Sequence, residues 1–278
     1  MVHVLTDSCA DLSPELIQRF GIEVIPLTVY VNEKTYFDGN DISSELLYRE
    51  VEKSGQLPKT AAPSVVEFIE FFKQHPGDII FISIGAKLSA TNQNATIAAQ
   101  SLPDQRIRIV DSANLSTGIG LLVLAAAELR DKGASLDEIY NYILSLVPRV
   151  NTSFVIDTLD YLYKGGRCSA MESIMGSLLS IHPIIEVRHD GTLGVRQKVR
   201  GSGTKGMDAQ IDTFKANVDK IDLHRVFITH SGGDIDPNYI KEKLEKIASI
   251  DEICITKAGA TVSSHCGPKT IGILYLMK

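Results

Sequence analysis

Strand-like and helix-like segments alternate along the first half of the chain, and this alternation constrains the fold more than any other feature. The strand-length segments are short and almost continuously apolar, which is typical of parallel strands that helices cover on both faces. We predict strands at residues 2–6, 78–84 and 106–110, an extended segment at 22–31, and helices at 14–20, 65–74, 92–101 and 116–132. The first part of the chain is therefore predicted to be a parallel α/β domain.

The pattern changes after Pro148, where strand-length segments begin to follow one another without a helix between them. Such neighbours pair in antiparallel fashion, and Asp190-Gly191 between two of them is typical of a hairpin turn. The predicted strands are residues 153–156, 183–188, 193–199, 226–229, 253–257 and 271–276, and the predicted helices are 204–218 and 238–248. We therefore predict an α/β protein of two domains, residues 1–150 with a parallel sheet and residues 151–278 with a largely antiparallel sheet.

The composition indicates a folded globular protein and argues against several classes of partner. The 278 residues are 44% hydrophobic and 22% charged, which is a globular balance. A net charge of −6 and the absence of tryptophan disfavour nucleic acid as a partner. The four cysteines lack zinc spacing, the start of the chain lacks an export signal, and no apolar run reaches the roughly 20 residues of a membrane span. These features predict a cytoplasmic protein with no metal or cofactor.

Three predicted parallel strands end in loops rich in hydroxyl and carboxylate groups, at residues 6–12, 85–91 and 111–116. Ligands of open parallel sheets bind beyond the carboxyl ends of the strands. Ser89 and Thr91 also lie directly before a predicted helix, whose free backbone N–H groups favour an anion. Helix capping explains any one of these loops as well, but the three together favour an anion-binding site.

Two later segments carry further candidate residues. Arg167 follows Gly165-Gly166 and is a candidate anion contact, although a solvated turn is the simpler interpretation of that segment alone. His265 precedes the last predicted strand, where it could donate a hydrogen bond to an anion or act as a base. A structural histidine is the alternative.

Seven short motifs occur in the order that they have in a known family. They are Thr6-Asp7-Ser8, Ile25-Pro26-Leu27, Lys59-Thr60 with Pro63-Ser64, Leu88-Ser89-Ala90-Thr91, Gly165-Gly166-Arg167, Asp190-Gly191 and His265-x-Gly267-Pro268. Each motif is weak alone, but their order is specific. Over nearly its whole length, the chain resembles the DegV family of bacterial fatty-acid-binding proteins.

The resemblance implies a long-chain fatty acid as the ligand, held between the two domains. It also implies that the protein is not itself an enzyme but the acyl-presenting subunit of a fatty-acid kinase, whose separate ATP-binding protein phosphorylates the carboxylate. The implied ligand-binding residues are Thr60, Ser89, Thr91, His265 and Gly267. Apolar residues of the second domain are candidates to line the acyl chain: Ile156, Leu159, Leu162, Ile174, Met175, Leu178, Leu179, Ile181 and Ile184.

A basic segment is the candidate surface for the kinase or for brief contact with an anionic membrane. Residues 164–205 carry a net charge of +4 within an acidic chain, and such asymmetry steers association with acidic partners. Arg167, Arg196, Lys198 and Arg200 are the predicted partner-binding residues. On a regular strand, Arg196 and Lys198 point to one face because side chains alternate with period two.

Three positions depart from the family pattern. Ala61 replaces a serine, so one hydroxyl is expected to be missing near the head group. Ala90 replaces a glycine and is expected to stiffen the Ser89 loop, and Lys269 replaces a glycine and is expected to add a charge near the site.

Two other functions stay open at the level of the sequence. One is a stand-alone hydrolase that uses Ser89 or Ser8 with His265 and either Asp7 or Asp111. The missing Gly-x-Ser-x-Gly nucleophile elbow argues against it. The other is a regulatory module that senses a small molecule and binds another protein.

Overall fold

The computed structural model describes residues 2–167 and 181–278. The strands are β1 (Val2–Asp7), β2 (Glu23–Ile25), β3 (Thr28–Val31), β4 (Lys34–Phe37), β5 (Lys59–Ala61), β6 (Asp78–Ser83), β7 (Ile107–Asp111), β8 (Val150–Val155), β9 (Ile181–Val187), β10 (Leu193–Arg200), β11 (Ile221–His230), β12 (Glu252–Lys257) and β13 (Ile271–Met277). The helices are α1 (Pro14–Phe20), α2 (Ser44–Ser54), α3 (Val65–Lys73), α4 (Thr91–Gln100), α5 (Thr117–Asp131), α6 (Leu136–Leu146), α7 (Asp160–Lys164), α8 (Gly203–Asn217), α9 (Asn238–Ile247) and α10 (Ala260–Cys266). Cys168, Ile174, Met175, Leu178 and Leu179 lie outside the described residues.

The first sheet is parallel throughout, with the strand order β2-β1-β6-β7. Its strands are apolar because both faces are covered. In β6, Ile80 and Ile82 belong to the core that α5 fills, whereas Ile79 and Phe81 pack with α3 and α4 on the other face. The parallel α/β architecture predicted for this part of the chain is confirmed.

The second sheet has six strands in the order β10-β9-β8-β13-β11-β12. All its pairs are antiparallel except β11 with β12. Asp190-Gly191 lies in the predicted hairpin turn, where Gly191 has a φ of 80° and its N–H donates to the carbonyl of Arg188 at 2.8 Å. The largely antiparallel second sheet is thus confirmed, while the division into domains at residue 150 stays a prediction.

A third, small antiparallel sheet has the order β4-β3-β5. We predicted only an extended segment here, because strands of three or four residues with polar outer faces give little periodic signal. The inner face carries Val29 and Val31 and packs against Leu47 of α2 and Ala260 of α10. This sheet positions Thr60 of β5.

Helix α5 lies between the two large sheets. Its buried Leu122 belongs to one hydrophobic core with Val4 and Ile82 of the parallel sheet and with Phe154 and Leu274 of the six-stranded sheet. Contact on both sides explains why α5 lacks a polar face over most of its length. Within residues 2–167 and 181–278, no helix is long and apolar enough to cross a membrane.

Candidate ligand-binding site

A cavity of about 260 Å³ lies where the three sheets meet. Thr60, Ser89, Arg167 and His265, four of the residues singled out from the sequence, all line it. The apolar side chains in its wall are Leu27, Ile84, Leu88, Leu115, Phe154, Leu162, Leu193, Val262 and Leu274. Residues distant in sequence therefore form one pocket with polar groups and a long apolar wall, which is the usual composition of a small-molecule site.

The His265 imidazole and the Thr60 hydroxyl form the central polar contact. Nε2 of His265 lies 2.8 Å from Oγ1 of Thr60, while Nδ1 is buried and has no hydrogen-bond partner among the described residues. An unpaired buried N–H is rarer than an unpaired acceptor, so we assign the proton to Nε2, which donates to Thr60. The Thr60 hydroxyl proton is then free to be donated to a ligand.

His265 is neutral at physiological pH. Burial, together with the nearby charge of Arg167, lowers the pKa of His265 to about 4. Burial likewise lowers the pKa of His230, the other histidine in the wall. Among the described lining residues, Arg167 is therefore the only one with a permanent charge, and it is positive.

Two buried aspartates fix the start of α10 and thereby the position of His265. Asp38 accepts hydrogen bonds from the backbone N–H groups of Ala260 at 2.6 Å and Thr261 at 3.1 Å, and Asp11 accepts from Gly259 at 2.7 Å. Burial raises the pKa of both carboxyl groups. The first-turn N–H groups of α10 are thus satisfied by side chains from the first part of the chain.

Ser89 lines the cavity, and Thr91 supports it. The two hydroxyl oxygens lie 2.8 Å apart, and the backbone N–H of Thr91 donates to Ser89 Oγ at 3.3 Å. Thr91 is fully buried as the first residue of α4 and is absent from the described lining. Thr91 thus contacts Ser89, and its predicted direct contact with the ligand stays a prediction.

The Gly165-Gly166-Arg167 turn brings Arg167 to the cavity. A Cβ atom at Gly165 would lie 2.6 Å from Nδ1 of His265, so only glycine fits beside the imidazole. Gly166 has a φ of 68°, which favours glycine. Arg167 then donates to the carbonyl of Leu88 at 3.4 Å and to that of Gly165 at 2.5 Å, between the Ser89 loop and α10.

Gly267 ends α10 and does not line the cavity with the other predicted residues. It has a φ of 75°, and a Cβ atom there would lie 2.9 Å from Cδ2 of Tyr161. Its carbonyl accepts a hydrogen bond from Ser231 at 2.7 Å. Its backbone N–H donates to the carbonyl of Ser263 at 3.0 Å, so both backbone groups are engaged within the protein, and its predicted contact with the ligand stays a prediction.

Most other hydroxyl groups in the wall are already paired within the protein. Ser116 donates to Asp11, Thr152 to Asn114, Ser231 to Gly267 and Thr270 to Cys266. Because these protons are used inside the protein, this part of the cavity offers a ligand mainly methyl and methylene groups.

The apolar wall differs from the predicted one. Of the apolar residues expected to line it, Leu162 does so among the described residues, whereas Ile156, Leu159 and Ile184 are buried elsewhere in the core. Leu27, Ile84, Leu88 and Leu115 of the first part complete the wall. Residues 151–278 therefore do not form the apolar wall alone. The sequence could not show this, because the burial of a side chain does not tell which cavity it faces.

The three departures from the family pattern have different surroundings. Ala61 is exposed and does not line the cavity, whereas its neighbour Ala62 does. Ala90, the second departure, also lines the cavity. Lys269 is exposed on a loop, and its backbone N–H donates to the carbonyl of Gly232 at 3.1 Å. The expected extra charge at the site is therefore wrong, because the Lys269 side chain is not part of the wall.

The geometry does not assemble the serine, histidine and acid of the hydrolase hypothesis. Asp7 accepts from the backbone N–H groups of Cys9 and Ile84, and Asp111 accepts from Ala86 and Ala113. The described partner of His265 is the Thr60 hydroxyl, not an acid or Ser89.

The basic strand β10 carries its charges on two faces. A β-bulge between Val195 and Gln197 shifts the register. Lys198 and Arg200 pair with Pro183 and Ile181, on the face of the sheet that includes the cavity, whereas Arg196 lies 3.8 Å from Glu186 on the opposite face. The expectation that Arg196 and Lys198 share a face is wrong, because a bulge interrupts the period of two.

Comparisons with known proteins agree over the full length. A model of the DegV family, described as an uncharacterised protein family, matches residues 1–278. A DegV domain-containing protein of Caldanaerobacter subterraneus is 35% identical over 277 residues, which cover 99% of this chain and 98% of the relative. One of Clostridium acetobutylicum is 33% identical over 280 residues, covering 100% and 99%.

Two solved structures are similar in fold. A DegV family protein from Thermus thermophilus, reported for its fatty acid binding, has a TM-score of 0.92 at 28% identity and covers 100% of this chain and 99% of its own. DegV from Bacillus subtilis, a fatty acid binding protein, has a TM-score of 0.88 at 25% identity, with the same coverage.

Proposed function

We propose that this chain, which belongs to the DegV family, binds one long-chain fatty acid in the cavity and presents its carboxylate to a separate ATP-dependent kinase. The observation that carries the proposal is the distribution of polar groups in the wall. Arg167 and the hydroxyls of Thr60 and Ser89 lie in a wall that is otherwise made of apolar side chains and of polar groups that are mostly paired within the protein. The complementary ligand has one negative charge and a long apolar tail.

The polar groups suit a carboxylate. Buried ionised oxygens need several donors, and Thr60, Ser89 and Arg167 are donors, whereas no described lining residue is acidic. The apolar wall supplies the binding energy, since each buried methylene contributes about 0.8 kcal/mol before ordering costs. The likeness to solved fatty acid binding proteins of the family supports the same ligand here.

Head-group recognition is tested by titrating delipidated protein with a fatty acid and with the alcohol of equal chain length. The acid is expected to bind more tightly. Ser89→Ala is expected to weaken binding of the acid by about 1.5–3 kcal/mol, since it removes a hydrogen bond to a charged group. Ser101→Ala at the other end of α4, whose hydroxyl bonds the carbonyl of Ile97, is the matched control. Equal affinities for acid and alcohol would contradict a carboxylate site.

Presentation to a kinase is supported by the basic side chains near the Arg167 end of the six-stranded sheet. Lys198 of β10 pairs with Pro183 of β9, and the carbonyl of Pro183 accepts a hydrogen bond from the N–H of Ile156. From Ile156 the chain leads directly to α7 and then to Arg167. Positive charge there would steer an acidic partner.

Charge neutralisation on the two faces of β10 tests this docking surface. With the cognate kinase and ATP, Arg200→Gln is expected to slow acyl phosphate formation and to leave fatty-acid affinity unchanged, whereas Arg196→Gln on the opposite face is expected to have little effect. Higher salt is expected to slow the wild-type reaction. Full activity of Arg200→Gln would remove the docking role, and equal loss in both variants would contradict the assignment to one face.

A further inference from the structure

A second cavity lies beyond the ligand cavity, at the end of the six-stranded sheet where β8 begins and β9 ends, and its wall includes residues of both faces. Its volume is also about 260 Å³. Alternate residues of a strand share a face. Phe154 and Thr152 of β8 line the ligand cavity, and Val150, the next residue on that face, lines the second cavity.

Neighbouring segments show the same order. Ile185 of β9 pairs with Phe154 and shares its face, and Val187, two residues further, lines the second cavity. In the loop before α5, Leu115 lines the ligand cavity and Asn114 lines the second. The two cavities are therefore in line.

The second cavity meets the ligand cavity at the end away from the head group. Thr270 donates to the carbonyl of Cys266 beside His265. Along the strand that follows Thr270, Gly272 pairs with Phe154 and Leu274, further from His265, pairs with Thr152. Thr152 therefore lies at the far end, where the methyl end of an acyl chain would lie.

One hydrogen-bonded pair lies between the two cavities. Thr152 donates to Oδ1 of Asn114 at 2.8 Å, and the two residues are 2% and 3% exposed. Thr152 lines only the ligand cavity, and Asn114 lines only the second. Among the described residues, the Asn114–Thr152 contact thus forms part of the wall between the cavities.

The surroundings hold this pair in place. Oδ1 of Asn114 also accepts from the N–H of Leu115 at 3.1 Å, and its carbonyl accepts from Gly85 at 2.8 Å. A Cβ atom at Gly118 of α5 would overlap both Asn114 Oδ1 and Thr152 Oγ1. Neither side chain has room to swing toward the helix.

We infer that the Asn114–Thr152 pair sets the longest acyl chain that the protein accepts, by closing the far end of the ligand cavity. The inference rests on the proposed function. Up to the limit, each added methylene tightens binding about fourfold. A longer acyl chain must break the Asn114–Thr152 hydrogen bond or leave methylenes outside the cavity. The affinity therefore no longer rises with chain length. Beyond the pair, the side chains of Val147, Val150 and Val187 offer further apolar surface, at a cavity that is also lined by Asn151, Glu186, Arg188 and His189.

The test is a series of saturated fatty acids, in steps of two carbons from lauric to behenic acid, titrated into delipidated protein. The wild type is expected to show rising affinity and then a limit. The double variant Asn114→Ala/Thr152→Ala joins the cavities and is expected to move the limit upward by about two or three of these two-carbon steps, since two residues of strand span about 7 Å. Thr152→Leu fills the far end and is expected to move the limit downward.

Ser153→Ala is the matched control. Ser153 is the next residue on β8, is equally buried, and directs its hydroxyl to Gln210 on the opposite face of the sheet, so the wild-type limit is expected. Thr152→Leu decides the question if the double variant does not fold. If every folded variant binds fatty acids and shows the same chain-length limit as the wild type, the proposed role of the Asn114–Thr152 pair is overturned, whereas the proposed function is not. Absence of wild-type binding at every chain length would overturn the proposed function as well.

Discussion

At the scale of single residues, the site depends on which groups are charged. His265 is neutral and donates to Thr60, so Thr60 and Ser89 present neutral donors beside the Arg167 guanidinium. Under the proposed function, a carboxylate at this site meets donors without a tight bidentate ion pair, which leaves its oxygens open to a phosphoryl donor. These residue types could be named from the sequence motifs, but the free proton of Thr60 follows only from the contact with His265.

The low pKa of His265 has a consequence for stability. On acidification from about pH 6.5 to 4, unfolded His265 takes up a proton and folded His265 does not, so the free energy of unfolding falls. The pKa difference corresponds to about 3 kcal/mol at most. We expect urea unfolding of delipidated wild type to lose stability more steeply in this window than His265→Gln, and the two slopes to agree above pH 7.

Asp7 acts in the opposite direction in the same window. Burial raises its pKa to about 6, so its protonation favours the folded state as the pH falls. This contribution is common to wild type and His265→Gln, and the comparison between them isolates the histidine. Parallel pH dependences between pH 4 and 6.5 would show that His265 is not buried as described.

At the scale of elements, short segments position the site and were the hardest to predict. The sequence motifs located Thr60 and His265, but not β5 and α10, which carry them. A strand of three residues and a helix of seven are too short for a periodic signal, and contacts such as Asp38 with Ala260 come from distant loops. By contrast, the helix predicted to begin at residue 65 is observed as α3, which Ser64 caps, because a capping signal is local.

The Gly165 turn offers a test of how α7 and α10 fit together. Gly165→Ala is expected to push the imidazole of His265 away, because the new Cβ atom would lie 2.6 Å from Nδ1. Such overpacking costs about 1–3 kcal/mol, and we expect lower stability and weaker fatty-acid binding, measured by urea unfolding and titration.

Gly203→Ala is the control for this change. Nothing lies within 4 Å of a Cβ atom at Gly203, the first residue of α8. Its stability and affinity are expected to be at least those of the wild type. Wild-type behaviour of Gly165→Ala would mean that the turn does not restrain His265.

At the scale of the whole molecule, the sequence predicted both large sheets and the order of the site motifs, but not how the cavity is shared. The switch from strand-helix alternation to adjacent strands near Pro148 is a global pattern, and it was sufficient for the two sheet types. The apolar wall depends instead on which buried side chains face inward, and both parts of the chain contribute, through Leu88 and Leu115 as well as Phe154 and Leu274. The bulge in β10 likewise leaves no mark in the alternation of Val195, Arg196 and Gln197.

Organic extraction of the purified protein, followed by quantitative mass spectrometry, tests the central claim most directly. We expect one long-chain fatty acid per chain. Delipidation is expected to lower the melting temperature and added fatty acid to restore it, because a ligand that binds only the folded state stabilises it by mass action. A protein that carries no fatty acid, and whose melting temperature does not respond to saturated or unsaturated fatty acids, would contradict the account.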